Sequence, residues 1–164
     1  MRPLKHYLPM ALTLIVVSCG VSETAEELWS RAEREVTARQ YERSIKSLKV
    51  LVKTYPTHTV ASKAQFRIGD IYLNNTRDIP AALEALRSTI DHYPHTDEGV
   101  KALFMLGFVY ANHLADYPAA QQAYLQFIDH YPNHELIPSV EFELENMGKP
   151  MEDIDVLKDV VSAS

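Results

Sequence analysis

Residues 79–132 read IPAALEALRSTIDHYPHTDEGVKALFMLGFVYANHLADYPAAQQAYLQFIDHYP, and this stretch decides the fold because it holds one helical hairpin and most of the next. Tyr-Pro pairs stand at Tyr55-Pro56, Tyr93-Pro94 and Tyr131-Pro132, 38 residues apart each time. The same offset joins Phe66 to Phe104, Gly69 to Gly107 and Tyr72 to Tyr110. Self-similarity at such a period is the signature of a solenoid. Each unit is too small to bury its own apolar face and buries it against its neighbours. A chain built this way is expected to work through a surface, not through an enclosed pocket.

Outside the repeats, composition sets the class. The chain has 164 residues, 46% hydrophobic and 23% charged, which is one ordinary globular domain. Nine prolines fall mostly where the apolar pattern breaks, as helix punctuation does. A formal charge of −6 and no long basic run argue against a nucleic-acid partner, since phosphate binding needs concentrated Lys and Arg. A single cysteine cannot form an intrachain disulfide.

The N-terminus reads as an address. Arg2 and Lys5 precede the apolar run Leu8 to Val17, which ends at Ser18-Cys19-Gly20, the layout of a secretory signal. At about ten residues the run is too short to span a bilayer, which takes roughly 20, so residues 1–18 are expected to be cleaved. Val16-Val17-Ser18-Cys19 resembles the bacterial lipobox, whose cysteine is acylated and becomes the new N-terminus. By resemblance to the sorting rule of enteric lipoproteins, Gly20 in place of Asp implies the outer membrane. Loss of Arg2 and Lys5 leaves 14 basic against 22 acidic residues, a net charge of −8.

The mature chain then reads as helices in succession, after a lipidated tether over 19–24. Thr24 and Glu27 form a Thr-x-x-Glu box that starts a first helix at Ala25. Further helices are expected over Tyr41–Thr54, Thr59–Asn74, from Asp78-Ile79-Pro80 to His92, from Thr96 onward, from Asp116-Tyr117-Pro118 to His130, and from His134 or Glu135 to Met147. Gly148 is placed as a left-handed C-cap. The tail over 149–164 has room for a short helix at Met151–Val160. No segment alternates with period two for long enough to make a strand, so the fold class is all-α.

Two units match the tetratricopeptide pattern of W-x2-L-G-x2-Y, A-x3-F and P. One carries Ile68-Gly69-x2-Tyr72, Ala82-x3-Leu86 and Pro94; the other carries Leu106-Gly107-x2-Tyr110, Ala120-x3-Tyr124 and Pro132. A weaker first unit has Leu28, Ala32, Tyr41, Ser44, Leu48 and Pro56. Residues 25–148 are therefore identified as a tetratricopeptide-repeat solenoid of about three hairpins plus a C-terminal capping helix. With the lipobox, the 38-residue spacing and the Ala64 to Gly69 helix, the chain resembles the BamD-like outer-membrane assembly lipoproteins, and also the Tol-associated periplasmic coordinators. That resemblance implies a non-catalytic scaffold, held by lipid in the cell envelope and facing the periplasm, with envelope proteins or peptides as partners and no cofactor. The alternative role it offers is coordination of cell division or peptidoglycan synthesis.

In such superhelices the first helix of each hairpin lines the concave groove. The resemblance puts Trp29, Phe66 and Phe104 there with Lys63 and Lys101, and Asn74 and Asn112 beside them. Those aromatics either bind a partner or seal neighbouring helices; both readings stay open. The carboxylate clamp of chaperone-type repeats requires asparagine where this chain has Glu33, Asp70 and Phe108, so that ligand class is disfavoured. Mechanically, Gly69 and Gly107 are expected to allow close helix packing opposite Ala82 and Ala120, and Tyr72 and Tyr110 to fill core.

Chemistry is sparse. His92-x2-His95 and His130-x3-His134 have spacings that zinc sites use, which would suit a metal-dependent envelope hydrolase. His92 and His130 are one repeat apart at helix ends, however, and repetition accounts for them without metal. No nucleophile motif or phosphate-cradling glycine loop is present. Cys19 is the residue on which localisation rests. Cys19→Ala is expected to abolish metabolic labelling by palmitate and leave an unprocessed or mislocalised precursor, because the acyl chains supply the membrane free energy; equal labelling of both chains would sink the lipoprotein reading.

Overall fold

The structure is a computed structural model that describes residues 23–150 and 153–154. The leader, Cys19 and nearly all of the expected Met151–Val160 helix lie outside the described residues. Within them run seven α-helices: α1 Ala25–Thr37, α2 Tyr41–Thr54, α3 Ala61–Ile71, α4 Ile79–His92, α5 Asp97–His113, α6 Tyr117–His130 and α7 Ile137–Asn146. No strand occurs among the described residues. None of these helices is long and apolar enough to cross a membrane.

Short polar side chains start α1, α4, α5 and α6. Thr24 Oγ1 accepts the Glu27 N–H at 3.2 Å while Glu27 Oε2 accepts the Thr24 N–H at 2.8 Å, a reciprocal box that satisfies two orphan donors. Asp78 and Asp116 accept the N–H groups of Ala81 and Ala119, both at 3.1 Å. Pro80 and Pro118 sit in the first turn of α4 and α6, where a missing N–H costs nothing. Each such cap is worth about 1 kcal/mol. The second helices of the hairpins, α2, α4 and α6, are 14 residues each and begin 38 residues apart.

Hairpin closure repeats just as strictly. Arg39, Arg77 and Ala115, again 38 apart, hold φ at 58°, 58° and 50°. In the first hairpin the Gln40 N–H bonds the Glu35 carbonyl and the Arg39 N–H bonds that of Val36, which is the Schellman pairing. In the second and third, the N–H groups of Asp78 and Asp116 reach one residue farther back, to the carbonyls of Tyr72 and Tyr110. α3 accordingly runs on into a π turn over Tyr72–Thr76 instead of continuing as α-helix to Asn74. That widening absorbs an extra residue, and so Trp29 and Phe66 are 37 apart where Phe66 and Phe104 are 38.

Between hairpins, the carbonyls of Tyr55, Tyr93 and Tyr131 accept the N–H groups of His58, Thr96 and His134 at 3.0–3.1 Å. His58 and His134 also turn Nδ1 back to accept from the Val60 and Leu136 N–H groups, at 3.4 and 3.1 Å. The turn must finish before a helix can begin. α3 therefore starts at Ala61 and α7 at Ile137, two to three residues later than periodicity indicates. α7 ends at Asn146, and Gly148 follows at φ 78°.

Consecutive helices pack along the chain, and α3 also touches α5. The first helices of the hairpins thus make one layer with α7, and α2, α4 and α6 the other. The core lies between them in three clusters: Leu28, Leu48, Leu51, Ile68 and Ile71 at one end, Leu73, Leu86 and Val109 in the middle, and Leu103, Tyr124, Phe127 and Val140 at the other. Ala82 and Ala120 are fully buried, but they are not what the glycines meet. A Cβ on Gly69 would lie 3.2 Å from Leu86 Cδ2, and one on Gly107 only 2.5 Å from the Tyr124 ring. Each glycine faces the large side chain four residues beyond the alanine.

Tyr72 and Tyr110 are half-buried at the rim of this core. The Lys49 ammonium donates to the Tyr72 hydroxyl at 3.3 Å, and Arg87 to that of Tyr110. Lys49 and Arg87 are themselves one repeat apart. Glu143 on α7 turns inward. Its Oε2 lies 3.5 Å from both the Tyr124 hydroxyl and Asn112 Nδ2.

Two expectations follow from Tyr124. Gly107→Ala must displace a buried ring, a strain on the order of 1–3 kcal/mol against the roughly 1 kcal/mol that helix propensity returns. Its Tm should fall, while Gly69→Ala, facing a side chain that can yield, should stay near the parent; a Gly107→Ala melt at or above the parent would refute the packing. Burial first, then the Glu143 charge and hydrogen bond, push the Tyr124 phenol well above its ordinary value. The folded state keeps a proton that the unfolded chain loses, so stability is intact below about pH 10 and falls above it. Tyr124→Phe should flatten that alkaline decline in Tm, and parallel profiles would remove Tyr124 as a source of it.

Candidate partner-binding face

The layer made by α1, α3 and α5 carries every residue assigned to a groove. Lys63 and Lys101 are exposed, at matching positions on α3 and α5. Neither lies within ion-pair distance of a carboxylate among the described residues. Asn74 and Asn112 are exposed at the far ends of the same helices. Asn74 Nδ2 donates to Asp70 Oδ1 at 2.6 Å, and Asn112 Nδ2 to the Phe108 carbonyl at 3.2 Å.

The three aromatics are half-buried, not a projecting row. Each belongs to a different cluster. Trp29 packs on the one that includes Ala61, Ala64 and Ile68, Phe66 on the one that includes Ala102 and Val109, and Phe104 on the one that includes Val140. Phe104 also holds a tilted contact with Tyr124 at 6.0 Å between centroids. Each ring therefore seals the seam between one first helix and the next while staying only partly buried. The sealing position follows from the repeat: a residue three before the packing glycine must point at the following hairpin.

Between the lysines and the asparagines runs a polar network centred on Arg67, a residue that pattern reading passes over. Its Nε and Nη2 donate to the two oxygens of Glu33 on α1, at 3.0 and 3.3 Å, and Nη1 donates to Asp70. Burial works against the Arg67 charge, but the hydrogen bond and charge of Glu33, with Asp70 behind them, hold its pKa above the ordinary value. Two acids at the clamp position are thus consumed internally, and the bidentate geometry locks α1 to α3. Ser62 ties α3 to α5 through Glu98 at 2.9 Å. The available signals for Arg67 were its i,i+3 relation to Asp70 and the presence of Glu33, 34 residues earlier; neither is specific without the turn geometry that sets the offset.

The histidines play local parts. His92 Nδ1 sits 2.8 Å from the Ser88 carbonyl, one turn back at the end of α4, and His134 caps the turn into α7. His95 and His130 are exposed. No three His, Cys, Asp or Glu side chains converge among the described residues. What this face offers is fixed shape, paired internal charge and two outward cations.

A family model described as outer membrane lipoprotein, YfiO, matches residues 22–147. No curated protein matches the chain. The match takes in all seven helices and both kinds of repeated turn, and on that span the chain belongs to the YfiO family of outer membrane lipoproteins.

Proposed function

We propose that this chain is a non-catalytic scaffold of the cell envelope, anchored through acylated Cys19 on the periplasmic side of the outer membrane, that holds a partner protein or peptide in outer-membrane protein assembly or envelope organisation. The observation that carries the reading is the register of Lys63 and Lys101. They stand one repeat apart on adjacent first helices, each exposed and three residues before a half-buried phenylalanine, Phe66 or Phe104. A segment with an acidic group at each lysine and an apolar side chain at each ring fits that spacing, since aromatic and cationic side chains carry much interface energy. Family membership supports the envelope setting.

The test is capture from detergent-solubilised envelopes with two double variants. Lys63→Glu with Lys101→Glu should keep the parent Tm and lose capture, most at low salt, because exposed charges contribute little to folding and much to association. Phe66→Ala with Phe104→Ala should lower Tm, as removal of seam-sealing rings does. Capture of β-barrel assembly proteins supports the assembly role, and capture of division or peptidoglycan machinery would redirect it. A charge-reversed variant that folds and retains the full partner set would show that this face is not the working surface.

A further inference from the structure

We propose that the outward face of α2 rests on anionic lipid headgroups and sets how the solenoid lies against its membrane; this orientation builds on the anchor at Cys19. Arg43, Lys46, Lys49 and Lys53 recur at helical spacing along α2, so they share one side of the helix. All four are exposed, with Val50 between them 42% exposed and Glu42 as the only acid on the helix. None is within ion-pair distance of a carboxylate among the described residues. Lys49 leans on Tyr72, and Arg43 donates to Gln40 at 3.3 Å, which leaves both charges at the surface.

Comparison with the other hairpins makes the face distinctive. The helix equivalent to α2 in the second hairpin carries Arg87 against Glu84 and Asp91, and in the third it carries Asp129 and no Lys or Arg. Basic character is thus concentrated on one helix of a chain whose mature net charge is −8. A field so divided draws one side toward an anionic surface and keeps the rest away.

The position of α2 relative to the anchor is the second observation. The Tyr55 hydroxyl, just past the end of α2, donates to the Glu23 carbonyl at 2.8 Å. Cys19 is four residue steps before Glu23, a reach of at most about 14 Å. A lipid on Cys19 therefore brings the bilayer beside Lys53. Lysine stems can then lie along the interface with their ammonium groups among the phosphates, and Val50 can enter between them.

The experiment uses the mature lipoprotein, its Cys19 thiol consumed by lipid, reconstituted in vesicles of phosphatidylcholine alone or mixed with phosphatidylglycerol. A fluorophore is placed at Val50→Cys, or at Gln122→Cys on α6 as the distant control, and quenched by headgroup-nitroxide lipid. Expected is several-fold stronger quenching at Val50→Cys in the phosphatidylglycerol vesicles. That excess should vanish at high salt and in the added Lys46→Glu and Lys53→Glu background, with the control weakly quenched throughout. Flotation with both vesicles but equal quenching in the two lipids overturns the orientation alone. A chain that floats with neither overturns the anchor and the orientation together. Equal quenching combined with capture of an acidic protein, lost on charge reversal, would assign the face to that protein and overturn the lipid proposal.

Discussion

Everything in this molecule depends on reversing the chain at one residue in each hairpin. Arg39, Arg77 and Ala115 take a left-handed conformation that non-glycine residues adopt only against a steric cost of roughly 1–2 kcal/mol. The conformation is held because the following N–H finds a carbonyl of the helix just ended and the residue after it caps or begins the next. Once those three points are fixed at a 38-residue interval, α2, α4 and α6 fall into register, and Leu86 and Tyr124 arrive opposite the glycines that make room for them. The layer of first helices then has one spacing available to it, and Glu33 meets Arg67 across that spacing.

Repetition made most of this legible in the sequence, and the misses mark where repetition is imperfect. Thr24, Asp78, Thr96 and Asp116 announce helix starts because a short polar side chain before an apolar stripe has one good use. The Tyr-Pro endings announce the stops. The π turn after Ile71 was not legible, because one extra residue in a helix end leaves the apolar stripe almost unchanged while shifting which carbonyl the turn reaches. His134 was read as a helix start or a ligand, since its use of Nδ1 toward the backbone N–H two residues on leaves no trace in composition. Glu143 shows the same limit from the other side. A glutamate on a terminal helix looks like solvated surface until a neighbouring tyrosine and asparagine turn out to lie beneath it.

The candidate face was legible in part for the same reason. Lys63 and Lys101 could be placed on equivalent turns by register and on the groove side by resemblance, and they stand exposed. Trp29, Phe66 and Phe104 could be placed on the right helices, but a single sequence does not separate a ring that projects from one that seals a seam, because both need an aromatic at the same phase. Net charge concealed α2 altogether: four cations on one helix disappear into a total of −6. Counting charge helix by helix, in equivalent positions of each hairpin, brings the asymmetry out.

The terminal helix α7 has a consequence of a different kind. It rests chiefly on α6, whereas an interior helix such as α3 is gripped by α2, α4 and α5. In a stack whose stability is a sum over adjoining units, opening at such an end breaks one boundary where opening in the middle breaks two. At the other end the Thr24 box closes the first turn of α1, and Arg67 and Ser44 Oγ, which donates to the Ala32 carbonyl at 2.9 Å, fasten it to its neighbours. The stack is therefore polar in its mechanics, frays from the C-terminal side, and keeps its slowest-exchanging amides in the N-terminal half.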